Sequence, residues 1–224
     1  MEAKQPHQLT PKGRATRERI LTIAARQMFR NGVAGTTTED LQRAGGISPS
    51  QIYHYFGDKK SLVKAVIAVQ TEAVLRTQGP LLSRLDSFEA LEAWRDALID
   101  LQRSRHFEGG CPIGSLASEL ADHDPEARAD LAAAFIRWQD AIRDGLAAMC
   151  DRGELAVDAD PESLALAMLT AVQGGLLMTQ VRHDTVALRT VLDAIIDRIR
   201  RHTPPDRPFV RPARPDRQAS VAKR

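Results

Sequence analysis

The sequence predicts an all-α protein. Only 4% of its 224 residues are aromatic, while alanine and leucine are abundant. Short β-branched runs bounded by turn residues, the mark of strands, are absent. Apolar residues instead recur at helical spacing between helix-start signals, two of them written identically as Asp-Pro-Glu at 124–126 and 160–162. Aspartate is a good N-cap and proline suits the first helical position, so each triplet opens a helix. About nine helices are expected.

The first helix is expected from about Thr16 to Asn31, with Ile20, Ile23, Ala24 and Met28 on its inner stripe and Asn31-Gly32 as its stop. Ahead of it, Lys12, Arg14, Arg17 and Arg19 read as a basic arm able to reach a phosphate backbone or minor groove. The second helix begins where Thr36 and Glu39 fit an S/T-x-x-E capping box, with Thr37 and Asp40 a looser fit. Leu41 and Ala44 supply its inner face, and Gly45-Gly46 ends it. Ser48 then caps a third helix of two turns, with Pro49 at its first position. At about 100° per residue, Ile52 and Phe56 fall on one face, while Ser50, Gln51, Tyr53 and His54 spread over the other. A capped helix, a glycine turn and a short amphipathic helix make the layout of a helix-turn-helix, whose second helix enters the DNA major groove.

At these residues the chain resembles the TetR family of bacterial transcriptional regulators. Thr36, Thr37, Leu41, Ala44, Gly46, Ile47, Ser48, Ile52, Tyr53, Tyr55, Phe56, Lys59 and Leu62 meet the family pattern, with Gly45, Ser50 and Lys60 as departures. The resemblance implies an N-terminal DNA-binding unit, a helical body that encloses a ligand, and dimerisation through the last two long helices. It assigns phosphate contacts to Thr37, Tyr55 and Lys59. Ser50, Gln51, Tyr53 and His54 could meet base edges, Gln51 pairing with adenine and Tyr53 lying on a thymine methyl, and Thr38, Ser48 and Pro49 complete the expected DNA-binding set. Glu39 is expected to cap rather than read, because a carboxylate repels phosphate.

Charge agrees with a nucleic-acid partner. Residues 1–64 carry 11 Lys/Arg against 5 Asp/Glu, residues 65–202 carry 14 against 22, and residues 203–224 carry 6 against 2. A basic unit beside an acidic body suits phosphate binding, where cations displace condensed counterions. The domain plan is therefore 1–64 for DNA, 65–202 for regulation and dimerisation, and 203–224 as a disordered basic tail.

A fourth helix starts at Asp58 and is expected to end at Gln78, before Gly79-Pro80. Lys59 and Lys60 at its N-terminus oppose the helix dipole, so something else must favour them; a phosphate would. A fifth helix is expected over Ser87 to Phe107, with Leu91, Trp94, Leu98 and Leu101 on one face. After the glycine-rich break Glu108 to Gly114, Ser115 caps a short sixth helix. The seventh carries Leu131, Phe135, Trp138, Ile142, Leu146 and Met149 on one stripe. The eighth, to about Arg182, is apolar nearly all round, and the ninth spans about Thr185 to Arg201. These two offer more apolar surface than one body covers, which suits a two-fold four-helix interface.

An effector cavity in the body would draw on Trp94, Leu98, Cys111, Phe135, Trp138, Gln139, Ile142, Met168 and Gln173, the two glutamines being the polar candidates. The stretch from Gly110 to Leu120, with Cys111 at its head, is similar to that of a TetR subgroup with drug-, flavonoid- or electrophile-responsive members. A thiol just before a helix start could have a lowered pKa and serve as a sensor; the other reading of Cys111 is a small buried residue lining the pocket. The sequence also leaves open a helical binding protein or a Cys111-dependent enzyme without a DNA role, for which His106 is the only nearby base. No metal-ligand spacing, cofactor motif or catalytic signature is present. Two cysteines, a polar first ten residues and no uninterrupted apolar run of about 18 point to a cytoplasmic protein that spans no membrane.

Overall fold

Thr10 starts the first helix earlier than its apolar stripe suggests. Its hydroxyl accepts from the Gly13 amide at 3.1 Å and Pro11 takes the first helical position, giving α1 over Pro11–Asn31. The computed structural model describes residues 9–205, and among these it holds nine helices and no strand. The expected basic tail from residue 206 and the first eight residues lie outside the described part.

The basic arm expected to run into α1 belongs to that helix throughout, from Lys12 to Arg19. Arg19 donates to the Gly45 carbonyl at 2.6 Å, and the Arg17 guanidinium lies 4.9 Å over the Phe56 ring. Both pin the helix-turn-helix to α1. After a turn at 32–36 come α2 (Thr38–Gly45) and α3 (Pro49–Phe56). Their common core is Ile20, Ala24, Met28, Leu41, Ile47, Ile52 and Phe56, all buried. Ala44, expected inside, is exposed; the inner side of that turn is taken by Ile23 against Gly45. A Cβ at Gly45 would sit 2.2 Å from Ile23 Cδ1, so alanine, the residue of the family pattern, would need the Ile23 side chain to shift.

The long α4 (Lys59–Leu82) runs without a break from this unit into the body. It passes through Pro80 instead of ending before it. Proline costs a helical hydrogen bond, a loss confined here to the last turn, where fewer amides depend on it. Around α4 stand α5 (Phe88–Ser104), α6 (Pro112–Leu120), α7 (Pro125–Asp151), α8 (Pro161–Arg182) and α9 (Val186–Arg200). The body core includes Leu91, Trp94, Trp138, Ile142, Leu146, Met168, Val172 and Leu188. α6 begins four residues before its expected cap: Cys111 is the N-cap, its sulfur accepting from the Gly114 amide at 3.4 Å.

α8 packs against α7 and α9, yet Leu166, Leu177, Met178 and Val181 stay exposed along its free side. Among the described residues it is the one helix long and apolar enough to cross a membrane by length and composition, with mean hydropathy 1.5. The sequence reading missed this because Thr170, Gln173, Gly174 and Gly175 interrupt the apolar run without adding charge. Inside the fold, 44% of that window is buried.

Candidate nucleic-acid interface

α3 stands on the rest of the reading unit through Ile52 and Phe56, which leaves its opposite face to solvent. Tyr53 is 62% exposed, and Pro49, Ser50 and His54 are exposed beside it. Tyr55 is half-buried, its ring edge-on to His54 at 4.8 Å between centroids. The outer surface of the helix thus offers an aromatic hydroxyl, an imidazole and two serine hydroxyls at the spacing of two turns. No described residue covers it.

The helix starts are held by reciprocal caps. Thr37, and not Thr36, caps α2: its hydroxyl accepts from the Asp40 amide at 3.1 Å, and Asp40 accepts from the Thr37 amide at 3.0 Å. Those hydrogen bonds hold the Asp40 carboxyl below its usual pKa. Thr36 is fully buried, donating to the Gly32 carbonyl at 2.7 Å, which removes it from capping. Glu39 therefore does not close the box; it sits exposed in the first turn, where Thr38 donates to it at 3.3 Å. At α3, Ser48 is the cap, and the Gln51 side-chain oxygen accepts from the Ser48 amide at 2.9 Å. Without DNA, the Gln51 carboxamide is turned back on its own helix start. The Ser48 and Ser50 hydroxyls share a hydrogen bond of 2.8 Å.

The two lysines that oppose the α4 dipole have partners the sequence could not show. Lys59 donates to the Val33 carbonyl at 3.0 Å. Lys60 reaches the start of α7, 3.0 Å from Glu126 and 3.9 Å from Asp124. The bond to Glu126, with both acids nearby, raises the Lys60 pKa. Lys64 stands 3.8 Å from Asp130 one turn further along. Lys59, Thr37, Thr38, Ser48, Pro49, Ser50, Gln51, Tyr53, His54 and Tyr55 all belong to the one unit formed by α2, α3 and the start of α4.

Comparison with known proteins agrees with this geometry. Residues 20–66 match the family model of bacterial regulatory proteins of the tetR family, and residues 87–195 match that of the tetracyclin repressor-like C-terminal domain. The chain belongs to the TetR family of transcriptional regulators. An HTH-type regulator of the lacX 3′ region in Lactococcus lactis is 29% identical over 81% of this chain and 92% of its own length. The HTH-type transcriptional repressor AcnR of Corynebacterium efficiens is 28% identical over 83% of this chain and 93% of its own. A TetR regulator from Chloroflexus aurantiacus, solved by crystallography, superposes with a TM-score of 0.74 at 26% identity, covering 87% of this chain and 98% of that one. The protein is thus a DNA-binding regulator and not an enzyme.

The body of this TetR-family chain holds two cavities that share Cys111 in their walls. The inner one, about 90 Å³, lies between α4, α5, α7 and α8 and takes in Leu98, Gln102, Trp138 and Leu176. The outer one, about 340 Å³, lies between α6, α7 and α8 and takes in Phe135 and Gln173. Of the sequence-derived pocket residues, Trp94, Ile142 and Met168 are plain core. Gln139 is displaced from both cavities: it bonds Glu162 and ties α7 to the start of α8. The sequence missed Gln78, whose side chain accepts from the Trp94 indole at 2.9 Å, and Gln102, which is 2% exposed. Among the described residues, Gln102 Oε1 and Trp138 Nε1 are buried atoms that make no hydrogen bond, while the Gln173 side chain stands against the Cys111 thiol. Buried polar groups are nearly always satisfied, so such a concentration singles out this part of the body. Burial pushes the Cys111 thiol pKa up, against the lowering by the Gly114 and Ile113 amides; the expectation of a lowered value was wrong in sign. Among the described residues no cluster of His, Cys, Asp or Glu is arranged to hold a metal ion.

Proposed function

We propose that this regulator is a homodimeric repressor, released from a palindromic operator by a small apolar molecule. The observation that carries the reading is the unpartnered face of α8 and α9. Leu166, Leu177, Met178, Val181 and Val186 are exposed there, around a groove of about 700 Å³ lined by Ala167, Gly174 and Ile195. A monomer seldom leaves so large an apolar patch in water. A second copy covers it most economically, and a two-fold axis presents α3 twice, to major grooves about 34–36 Å apart. As a DNA-binding regulator it works where the chromosome is, in the cytoplasm.

In this reading Thr37, Thr38, Tyr55 and Lys59 hold phosphates, while Ser50, Gln51, Tyr53 and His54 inspect bases; Ser48 and Pro49 set the helix start between them. Lys59 and Gln51 exchange their internal partners for DNA on binding. The effector occupies the cavities around Cys111, Trp138 and Gln173, and its differential affinity for two poses of the reading unit is worth typically 1–3 kcal/mol.

The test is a pair of substitutions. Lys59→Ala should weaken binding to all duplexes and reduce the salt slope by about one. Gln51→Ala should change the preferred sequence at one position while leaving that slope alone. Equal losses on every sequence from both changes would remove the base-reading role. Effector binding is readable by tryptophan emission, since the chain's two tryptophans are Trp94 and Trp138. Compounds that shift emission should also lower operator affinity.

A further inference from the structure

The turn between α1 and α2 is gripped from outside the reading unit. Both oxygens of Glu119, on α6, accept from successive amides of this turn: Val33 at 2.7 Å and Ala34 at 2.6 Å. The carbonyl of the same Val33 accepts from Lys59 at 3.0 Å, so α6 and α4 hold one peptide segment from opposite polarities. The turn is built for glycine at two places. Gly32 is left-handed with φ 76° and lies close under the Glu119 carboxylate, and a Cβ at Gly35 would stand 2.2 Å from the Asn31 carbonyl oxygen. Thr37, the cap of α2, follows two residues later.

Glu119 is the penultimate residue of α6. A carboxylate there opposes the helix dipole, just as the lysines do at the start of α4, so an outside partner must favour it. Charge-assisted bonds to two fixed amides are such a partner, and a fork of two bonds fixes direction as well as distance. The other end of α6 is Cys111, in the walls of both cavities. Just before it, Gly109 lies under the Phe29 ring of α1: a Cβ there would be 2.3 Å from Phe29 Cζ. A nine-residue helix, about 14 Å long, therefore joins the cavities directly to the turn that carries α2.

We propose that Glu119 is a positioning residue for operator binding: its fork on the Val33 and Ala34 amides sets the angle of the reading unit on the body. The inference rests on the two-fold reading above. A positioning role differs from a purely structural one in what it disturbs. Each reading unit keeps all its phosphate and base contacts, but the two units lose their fixed separation.

The experiment uses the full chain. A palindromic duplex is first selected from a random library with the natural protein. Affinities for that palindrome and for a single half-site are then measured across several salt concentrations with Glu119→Gln and Glu119→Ala. Palindrome affinity should fall about tenfold, while half-site affinity stays within about twofold and the salt slope is unchanged. Repeating the selection with Glu119→Gln should return palindromes of more varied half-site separation. Amide exchange at Val33 and Ala34 should accelerate in the same variant. Unchanged palindrome affinity overturns the proposal. So does a parallel loss on palindrome and half-site, which assigns Glu119 to folding alone. If Glu119→Ala does not fold, Glu119→Gln, which keeps the shape and one acceptor, decides. Failure of the natural protein to select any palindrome is a different result: it removes the two-fold reading, and this proposal with it.

Discussion

At Cys111 two effects of opposite sign meet. Its sulfur caps α6, where amides favour a thiolate, but the side chain is only 8% exposed and burial favours the neutral thiol. Burial is the larger effect. The thiolate is the reactive form, so raising the pKa lowers its fraction at every pH below that value. Cys111 should therefore be alkylated by iodoacetamide at pH 7.5 more slowly than free cysteine, with its rate profile displaced to higher pH. Faster labelling, read by mass spectrometry, would contradict this and restore an electrophile-sensing role. Sequence alone placed the thiol at a helix start but could not weigh its burial. The same limit explains Thr36: two overlapping Thr-x-x-acid matches are equal on paper, and only the buried Gly32 carbonyl decides that Thr37 is the cap.

Among the elements, five helix starts with side-chain caps were legible, since Ser48, Asp58, Ser87, Asp124 and Asp160 cap as their residue types suggest, whereas Thr10, the cap of α1, was missed. The start set by an unusual cap was not legible either, since a cysteine sulfur is a weak acceptor and Ser115 looked the better choice. The paired glycines of α8 show how far a pattern reaches. Close approach to a neighbour is the reason for only one of them. A Cβ at Gly175 would lie 2.9 Å from Leu188 Cα of α9, whereas one at Gly174 meets nothing within 4 Å. Gly175→Ala should destabilise the protein by about 1–3 kcal/mol through overpacking. Gly174→Ala should be neutral or stabilise by up to about 1 kcal/mol through helix propensity. Urea unfolding of the two variants separates these outcomes; equal effects would mean that the α8–α9 contact is looser than described.

On the scale of the whole molecule, the N-terminal unit announced itself because its motif is local, whereas the body matched only in layout. Its cavities depend on Gln78 and Gln102, placed by packing between helices far apart in sequence. The face proposed for a second copy was legible only as an excess of apolar surface on the last two helices. Its bare portion, Leu177 at 59% and Val181 at 68% exposure, is where the expectation can be tested. Leu177→Glu with Val181→Glu should convert the protein to a monomer in sedimentation and abolish tight palindrome binding, with half-site affinity retained. A natural protein already monomeric at micromolar concentration would remove the face from consideration. Finally, Lys60 and Lys64 bridge to Asp124, Glu126 and Asp130 across exposed surface, where dissolved ions screen such pairs. Added salt thus loosens the seat of the DNA-reading head while it competes for the phosphates. A salt titration of binding should accordingly return more apparent released counterions than there are phosphates touched.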